Sequence, residues 1–528
     1  MIESVSCDAL KQLMGKGGSY ALLDIREAGE YTSGHIPGTT LLPRRDIEFR
    51  IRDLVPVRNI SVITVGDSGE RAKLAATTIG LFGYQNVYVL QGGFPAWMEA
   101  GHPTATGVNV PSKEFGEKIH IECAVPEIDP GELHARTARG ENVFVMDART
   151  PEEYQHFCIP GGVNVPGGDL ILWAGELEKD PAATIVINCA GRTRSIIGTQ
   201  TLRRLGLSNV LALKNGTMGW LLAGLELEQH PGRDGPKPSA QSRTEAEALA
   251  ARIATEENIP LISALELRDL LGQRGRRTLY PIDVRSSEEY ASGHIPGFLW
   301  IPGGQAIQRA DDYIAVRNGT VVLTCDATAR ATMAAYWYRR MGFKDVRVLK
   351  GGIRAWKDSG LELEKGRPVK PVLGLEQARK TVKVISAQEA AQRLAEQSDT
   401  LILDVATSLE YKAGHLPGAY WISRGWLEEK VPALFPNRKQ PIHVTCPNGA
   451  QSTLAGATLV GLGYQNISVL QDGVTSWQRE GRFLETGLTK ALSEPNDAVI
   501  SASMTGDKSA MLRYLDWEIA LGRKYGKS

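Results

Sequence analysis

An α/β fold repeated four times, each copy a small parallel sheet covered by helices on both faces, is what this sequence predicts. Three observations carry the prediction. Four segments share one pattern, an apolar run ending in Asp, then Glu-Tyr, then an Ile/Leu-Pro-Gly turn: LLDIREAGEYTSGHIPG, VMDARTPEEYQHFCIPG, PIDVRSSEEYASGHIPG and LILDVATSLEYKAGHLPG. Their spacing is shared as well. Asp24, Asp147, Asp283 and Asp404 each stand thirteen residues before Pro37, Pro160, Pro296 and Pro417, and forty-two before Gly66, Cys189, Cys325 and Cys446. Thirty-one residues further come Trp97, Trp220, Trp356 and Trp477. Finally, β-rich runs alternate with helical patterns through every copy.

Each unit opens on a helix signal. Asp129-Pro-Gly-Glu132, Ser263-Ala-Leu-Glu266 and Ser386-Ala-Gln-Glu389 fit capping boxes, and Ser6 starts a weaker version. The runs VITV, TIVIN, TVVLT and PIHVT are expected as buried strands that enter the turns. Helical patterns such as SIIGTQTLRRLG follow, then the short strands NVYVL, NVLAL, DVRVL and NISVL. The tryptophans are expected to pack each closing helix onto its sheet. This places domains at 1–107, 120–230, 258–366 and 380–485, with a linker and connecting helix at 231–257 and a tail at 486–528. PGRDGPKPSAQSR (231–243) is expected to separate two halves of two units each, and Thr244-Glu-Ala-Glu247 to cap the connecting helix. SAMLRYLDWEIALGRKYG reads as an amphipathic tail helix that packs on another domain or another subunit, so a homo-oligomer stays open.

Lysine plus arginine equals aspartate plus glutamate at 60 each, which argues against nucleic acid or an anionic membrane surface as partner. No apolar run reaches membrane-span length, and MIESVSCDALKQLM lacks a signal-peptide core, so a cytoplasmic protein is expected. The six cysteines are scattered without a CxxC pair, which disfavours a disulfide framework or zinc site. The aspartates and the His-Ile-Pro-Gly histidines (His35, His294, His415) are expected to brace turns, since no further ligands recur at metal spacing. Arg44-Arg45 reads equally as an anion-steering pair and as an exposed basic turn.

The second copy's turn, NCAGRTRS, ends a strand and opens a helix, so its thiol lies at the carboxyl edge of the sheet. Turn N–H groups and the helix N-terminus lower a thiol pKa there, toward ~3.5–7.5. Gly191 lets the backbone curl around the sulfur, Arg192 and Arg194 can hold an anion, and Ser195 can donate a hydroxyl and open the helix. Such a turn suits a nucleophile, Cys189, that meets an anion and survives as a charged intermediate.

These residues resemble the rhodanese family of sulfurtransferases, in four copies over about four-fifths of the chain. The resemblance rests on the Asp…Glu-Tyr…His-Ile-Pro-Gly pattern, the Cys turn and the Gly-Gly…Trp segments QGGFPAW and KGGIRAW. It implies a five-stranded parallel sheet per domain. It also implies transfer of sulfane sulfur from a donor such as thiosulfate, through a cysteine persulfide, to cyanide or a thiol, with no metal or organic cofactor. Catalysis then falls to Cys189 and Arg194, and substrate binding to Gly191, Arg192, Thr193 and Ser195. Cysteine phosphatases place their arginine six positions after the thiolate; Arg194 follows Cys189 by five, a tighter ring that favours sulfur transfer.

The other turns depart from this pattern. GDSGERA has Gly66 in the nucleophile's place, although Gly69 and Arg71 remain, and is expected to be structural or anion-binding. CDATARA keeps Cys325 and Arg330 without a turn glycine, and Asp326 beside the thiol raises its pKa. CPNGAQS keeps Cys446, but Gln451 replaces arginine, Pro447 removes an N–H, and Val-Ala follows Asp404 where Arg26 and Arg285 stand elsewhere. Cys325 and Cys446 are therefore secondary sites at most. Cys158 replaces the histidine of the other copies, as a buried filler or a relay thiol. The rival class is a scaffold whose degenerate modules bind a partner.

Overall fold

Strands and helices alternate through all four repeats, and each repeat builds its own five-stranded sheet. The computed structural model describes residues 2–67, 70–232, 237–396 and 399–526. Gly69 and the linker residues 233–236 lie outside them. Counted within each repeat, the strands stand in one spatial order, first, fifth, fourth, second, third, and they pair in parallel. The fourth strand (Ser61–Val65, Thr184–Asn188, Thr320–Thr324 or Ile442–Thr445) is thus central, and the turn after it opens at the carboxyl edge.

Local signals account for most elements. Ser263 and Glu266 close a full capping box. Asp129 instead accepts from the Gly131 N–H while Glu132 pairs with Arg136, and Ser386 caps Glu389 while Glu389 pairs with Arg393. The four tryptophans are buried in the cores and donate Nε1–H to the carbonyl six residues on, at 2.8–2.9 Å. Asp24, Asp147 and Asp283 are buried and form ion pairs with Arg26, Arg149 and Arg285. Each of those arginines also donates to the carbonyl eight residues further along the chain, closing the loop before the Pro-Gly turn. His35, His294 and His415 stack on the tyrosine four residues earlier and share Nδ1 with its carbonyl. The bracing role expected of the aspartates and histidines is what these contacts describe, except that Asp404 has no arginine beside it and, among the described residues, accepts only the Ala406 N–H.

The chain gathers into two units that do not follow the expected halves. One unit takes Met1–Val108, Ala315–Arg317 and Val369–Val499, hence repeats 1 and 4; the other takes Asn109–Ile314, Asn318–Pro368 and Ile500–Ser528, hence repeats 2 and 3 and the tail. Segment 231–243 therefore joins two repeats of one unit. Its connecting helix is Ala240–Glu256, with Ser239 rather than Thr244 at the N-cap. A further helix, Val110–Glu122, precedes repeat 2.

Inside the second unit repeats 2 and 3 meet backbone to backbone: a Cβ on Gly168 would lie 2.9 Å from Gly303 Cα, so glycine is what allows the approach. Trp337 of repeat 3 donates to Thr201 of repeat 2 at 3.0 Å. Inside the first unit the contact is ionic. Arg424 of repeat 4 grips Glu48 of repeat 1 at 2.5 Å, and Arg44 and Arg45 reach Glu428 and Asp497. Arg44-Arg45 is therefore a buried interface pair, not an exposed turn. Among the described residues no helix is long and apolar enough to cross a membrane.

Candidate active site

The strand Thr184–Asn188 delivers Cys189 to the carboxyl edge, and the helix Thr193–Leu205 leaves from the same turn. The Thr217 N–H donates to the Cys189 carbonyl at 2.8 Å and the Met218 N–H to that of Ala190 at 3.1 Å. Those bonds bring Gly216 against the turn with φ +55°, where a Cβ would collide with the Cys189 carbonyl oxygen. Gly93, Gly352 and Gly473 stand in the same relation to Gly66, Cys325 and Cys446, which gives the Gly-Gly…Trp segment its reason.

The Cys189 sulfur is buried, 2% exposed, and lies 3.5 Å from Ser195 Oγ, which itself donates to the Arg192 carbonyl. Among the described residues Ser195 is its one hydrogen-bond partner, so the expected ring of backbone N–H groups does not close on this sulfur. It closes better in repeat 4, where the Ser452 N–H donates to Cys446 Sγ at 3.3 Å. The helix after Cys189 begins at Thr193, and Ser195 sits inside its first turn rather than opening it.

Both arginines are satisfied by carboxylates. Arg192 binds Glu117 of helix Val110–Glu122 through two bonds, at 2.6 and 3.1 Å, and also reaches Glu127 and Asn215. Arg194 binds Glu153 through two bonds, at 2.6 and 2.8 Å. Burial opposes charge on Glu153, but the Arg194 guanidinium overrides it and holds the carboxyl down at about 2. The expected anion holders thus enter the site already neutralised.

Three residues that drew no notice in the sequence cover the turn. Lys113 comes from helix Val110–Glu122, and Tyr514 and Glu518 from the tail helix Lys508–Leu521. Thr193 Oγ1 donates to Glu518 Oε1 at 2.5 Å, and the Lys113 ammonium donates to the Tyr514 hydroxyl. A Cβ on Gly191 would lie 2.9 Å from Met218 Cε, 3.2 Å from Glu518 Oε2 and 3.5 Å from Tyr514. Gly191 therefore admits this cover, beyond any curling of the backbone. Met218, Met511 and Leu515 form the small apolar cluster that seats the tail helix. A pattern of charge could not have found these groups, because they lie about 75 residues before and 325 residues after the turn they meet.

The remaining turns are occupied differently. Arg330 is clamped by Asp169, Glu289 and Asp326 at 3.0, 2.6 and 2.7 Å, and Glu247 takes the Thr328 and Ala329 N–H groups at the start of the helix after Cys325. Burial, then Asp326, pushes the Cys325 thiol up to about 12. Burial also raises Cys446. Asp404, with Ala406 where the other repeats carry arginine, is pushed up to about 7 by burial. In repeat 1, Arg71 binds Glu30 and Asp67 and stacks 3.6 Å over the Trp426 ring. Cys158 is buried on a two-residue strand that pairs with Glu228–Gln229, with its sulfur 3.8 Å from Glu228 Oε2.

Comparison with known proteins agrees with this architecture. A thiosulfate sulfurtransferase structure from Pseudomonas aeruginosa superposes with a TM-score of 0.91 at 32% identity, covering 99% of this chain and 98% of that one. A sulfurtransferase of Allochromatium vinosum is 33% identical over 103 residues, 20% of this chain and 94% of its own length. A Bacillus subtilis relative, 37% identical over 75 residues, is matched over 40% of its length and 14% of this chain. The profile of the rhodanese-like domain matches residues 6–100, 129–223, 263–359 and 386–480. With four such domains spanning most of its length, the chain belongs to the rhodanese-like family.

Proposed function

We propose that the protein is a sulfurtransferase that works at Cys189, taking sulfane sulfur from thiosulfate and passing it to cyanide or a thiol. The observation that carries this reading is the Cys189 turn itself, where a thiol at the carboxyl edge adjoins a helix start, the carboxylate-paired Arg194 and the Lys113 ammonium. The Cys189 thiolate attacks the outer sulfur of thiosulfate. An Sγ–S bond forms, the S–S bond of the donor breaks, and sulfite leaves with the electron pair. The persulfide then gives its terminal sulfur to the acceptor: cyanide becomes thiocyanate and the thiolate returns. The helix N-terminus and the Lys113 ammonium favour both the anionic donor and the persulfide anion. Relatives named as sulfurtransferases support this reading. The scaffold reading retains repeat 1, whose Gly66 carries no nucleophile.

Intact mass after incubation with thiosulfate tests the assignment. One added sulfur is expected, located at Cys189, and Cys189→Ser is expected to cut sulfite release by about 10³-fold or more. Persistent turnover in that variant would move the site elsewhere.

A further inference from the structure

Two charged groups lie buried over the Cys189 turn without the partners their burial demands. Lys113 is 5% exposed, and among the described residues its ammonium forms no ion pair, the strongest charge acting on it being the Glu518 carboxylate. Its contacts are the Tyr514 hydroxyl and the faces of Tyr514 and Trp517, at 4.8 and 5.7 Å. Glu518 is 1% exposed, and while Oε1 takes the Thr193 hydroxyl, Oε2 has no hydrogen-bond partner. A buried charge that is half satisfied is costly, and the arrangement gains wherever a better-matched group can enter.

The charge balance says which group that is. Arg192 and Arg194 are each neutralised by a carboxylate in a two-bond contact, whereas among the described residues Lys113 makes no ion pair and is balanced chiefly through the field of Glu518. Glu518 meets the first turn of the thirteen-residue helix Thr193–Leu205, where an anion is favoured. A carboxylate of the chain therefore sits where an anionic donor would sit, while the ammonium that would hold that donor waits beside it. With the sulfur 2% exposed, donor and tail helix compete for one place.

Building on the sulfurtransferase reading, we propose that Lys113 receives the anionic group of the sulfur donor at Cys189, in the seat that Glu518 holds while the tail helix is closed. Donors with a fixed negative charge on the leaving group, thiosulfate and organic thiosulfonates, are then favoured over neutral polysulfanes. The tail helix is part of the site, and its displacement accompanies donor entry.

Thiosulfate binding to full-length Cys189→Ser protein, followed by calorimetry, reads the seat without turnover. Lys113→Met should weaken binding by about tenfold, the scale of one charge-assisted contact. Lys113→Arg should recover most of that loss, and Glu518→Gln should tighten binding several-fold. In the otherwise wild-type enzyme the same changes should move KM far more than kcat. Unchanged affinity in Lys113→Met, weaker binding in Glu518→Gln, or no binding at all would overturn the proposal. A wild-type protein that releases no sulfite, while Cys189→Ser binds thiosulfate through Lys113, would overturn the sulfurtransferase reading and leave the seat standing. Should Lys113→Met fail to fold, the sign of the Glu518→Gln effect still decides.

Discussion

The turns of Cys189 and Cys325 share a strand order, a following helix and an arginine five positions on, and they belong to one unit. They differ in the acid that surrounds them. Arg194 is paired with one acidic residue, Arg330 with three. The helix after Cys189 gives one side-chain hydroxyl to a carboxylate, whereas the helix after Cys325 gives two backbone N–H groups to Glu247. A lysine approaches Cys189, while Cys325 has Asp326 next to it. A thiol and an arginine are therefore not what separates the two turns. What separates them is the number of carboxylates gathered around the arginine and the helix start, some from the same repeat and some from other segments of the unit.

The largest expected effect is on Cys325 itself. With its thiol pushed up to about 12, the thiolate fraction at pH 8 is about one in ten thousand. Alkylation followed by peptide mass spectrometry should find Cys325 unmodified under conditions that label an ordinary cysteine. Asp326→Asn should leave it slow, because burial outranks the neighbouring charge. Rapid labelling of Cys325 in the wild type would erase the distinction between the turns.

Repeat 1 sharpens the comparison from the other side. Gly66→Cys in a Cys189→Ser background supplies a thiol but should release almost no sulfite. Arg71 is held by Glu30 and Asp67, and the new Cβ would lie 3.0 Å from that of Ala72. The neighbouring carboxylate opposes both thiolate and donor. Removing Asp67 as well should restore a small activity. Glu70 matters less, since it faces solvent with Lys73. Strong sulfite release from Gly66→Cys alone would mean that the turn's shape outweighs its charge.

The smallest effect concerns stability in the first unit. Asp404 is raised to about 7 in the folded chain from an ordinary 3.8. The unfolded chain therefore loses this proton first, and folding stability from the neutral acid is full below about pH 4 and falls as pH rises toward 7. Asp404→Asn should lift Tm at pH 8 by a few degrees, at about 2–4 °C per kcal/mol for a body of this size, and leave it unchanged at pH 4. An equal shift at both values would remove Asp404 ionisation as the cause.

What the sequence revealed and what it hid follow from range. The Asp–Pro–Cys–Trp spacing, the Ser263 box and the tryptophan packing are legible because each is settled within one repeat. The acid at Asp326 was legible beside its cysteine, although burial proved the larger cause. Glu117, Lys113, Glu247 and Glu518 were not, since each reaches its turn from a helix that belongs to no repeat. The pairing of repeat 1 with repeat 4 was hidden for the same reason: Glu48 and Arg424 stand 376 positions apart with no local mark of their match.

That pairing has a consequence on the ribosome. Repeat 1 emerges first, but its unit resumes in earnest at Val369 and continues to Val499. At about 5–20 residues per second, translation of the intervening stretch takes roughly 15 to 50 seconds. Throughout that interval Arg44, Arg45 and Glu48 face water or whatever binds them, while repeats 2 and 3 can already join. The segment Ile500–Ser528 follows the same logic, because it returns to the second unit only after repeat 4 has been made. In a nascent chain Cys189 would thus stay uncovered until the helix Lys508–Leu521 has been made, so the thiol is open to solvent long after its own repeat can fold.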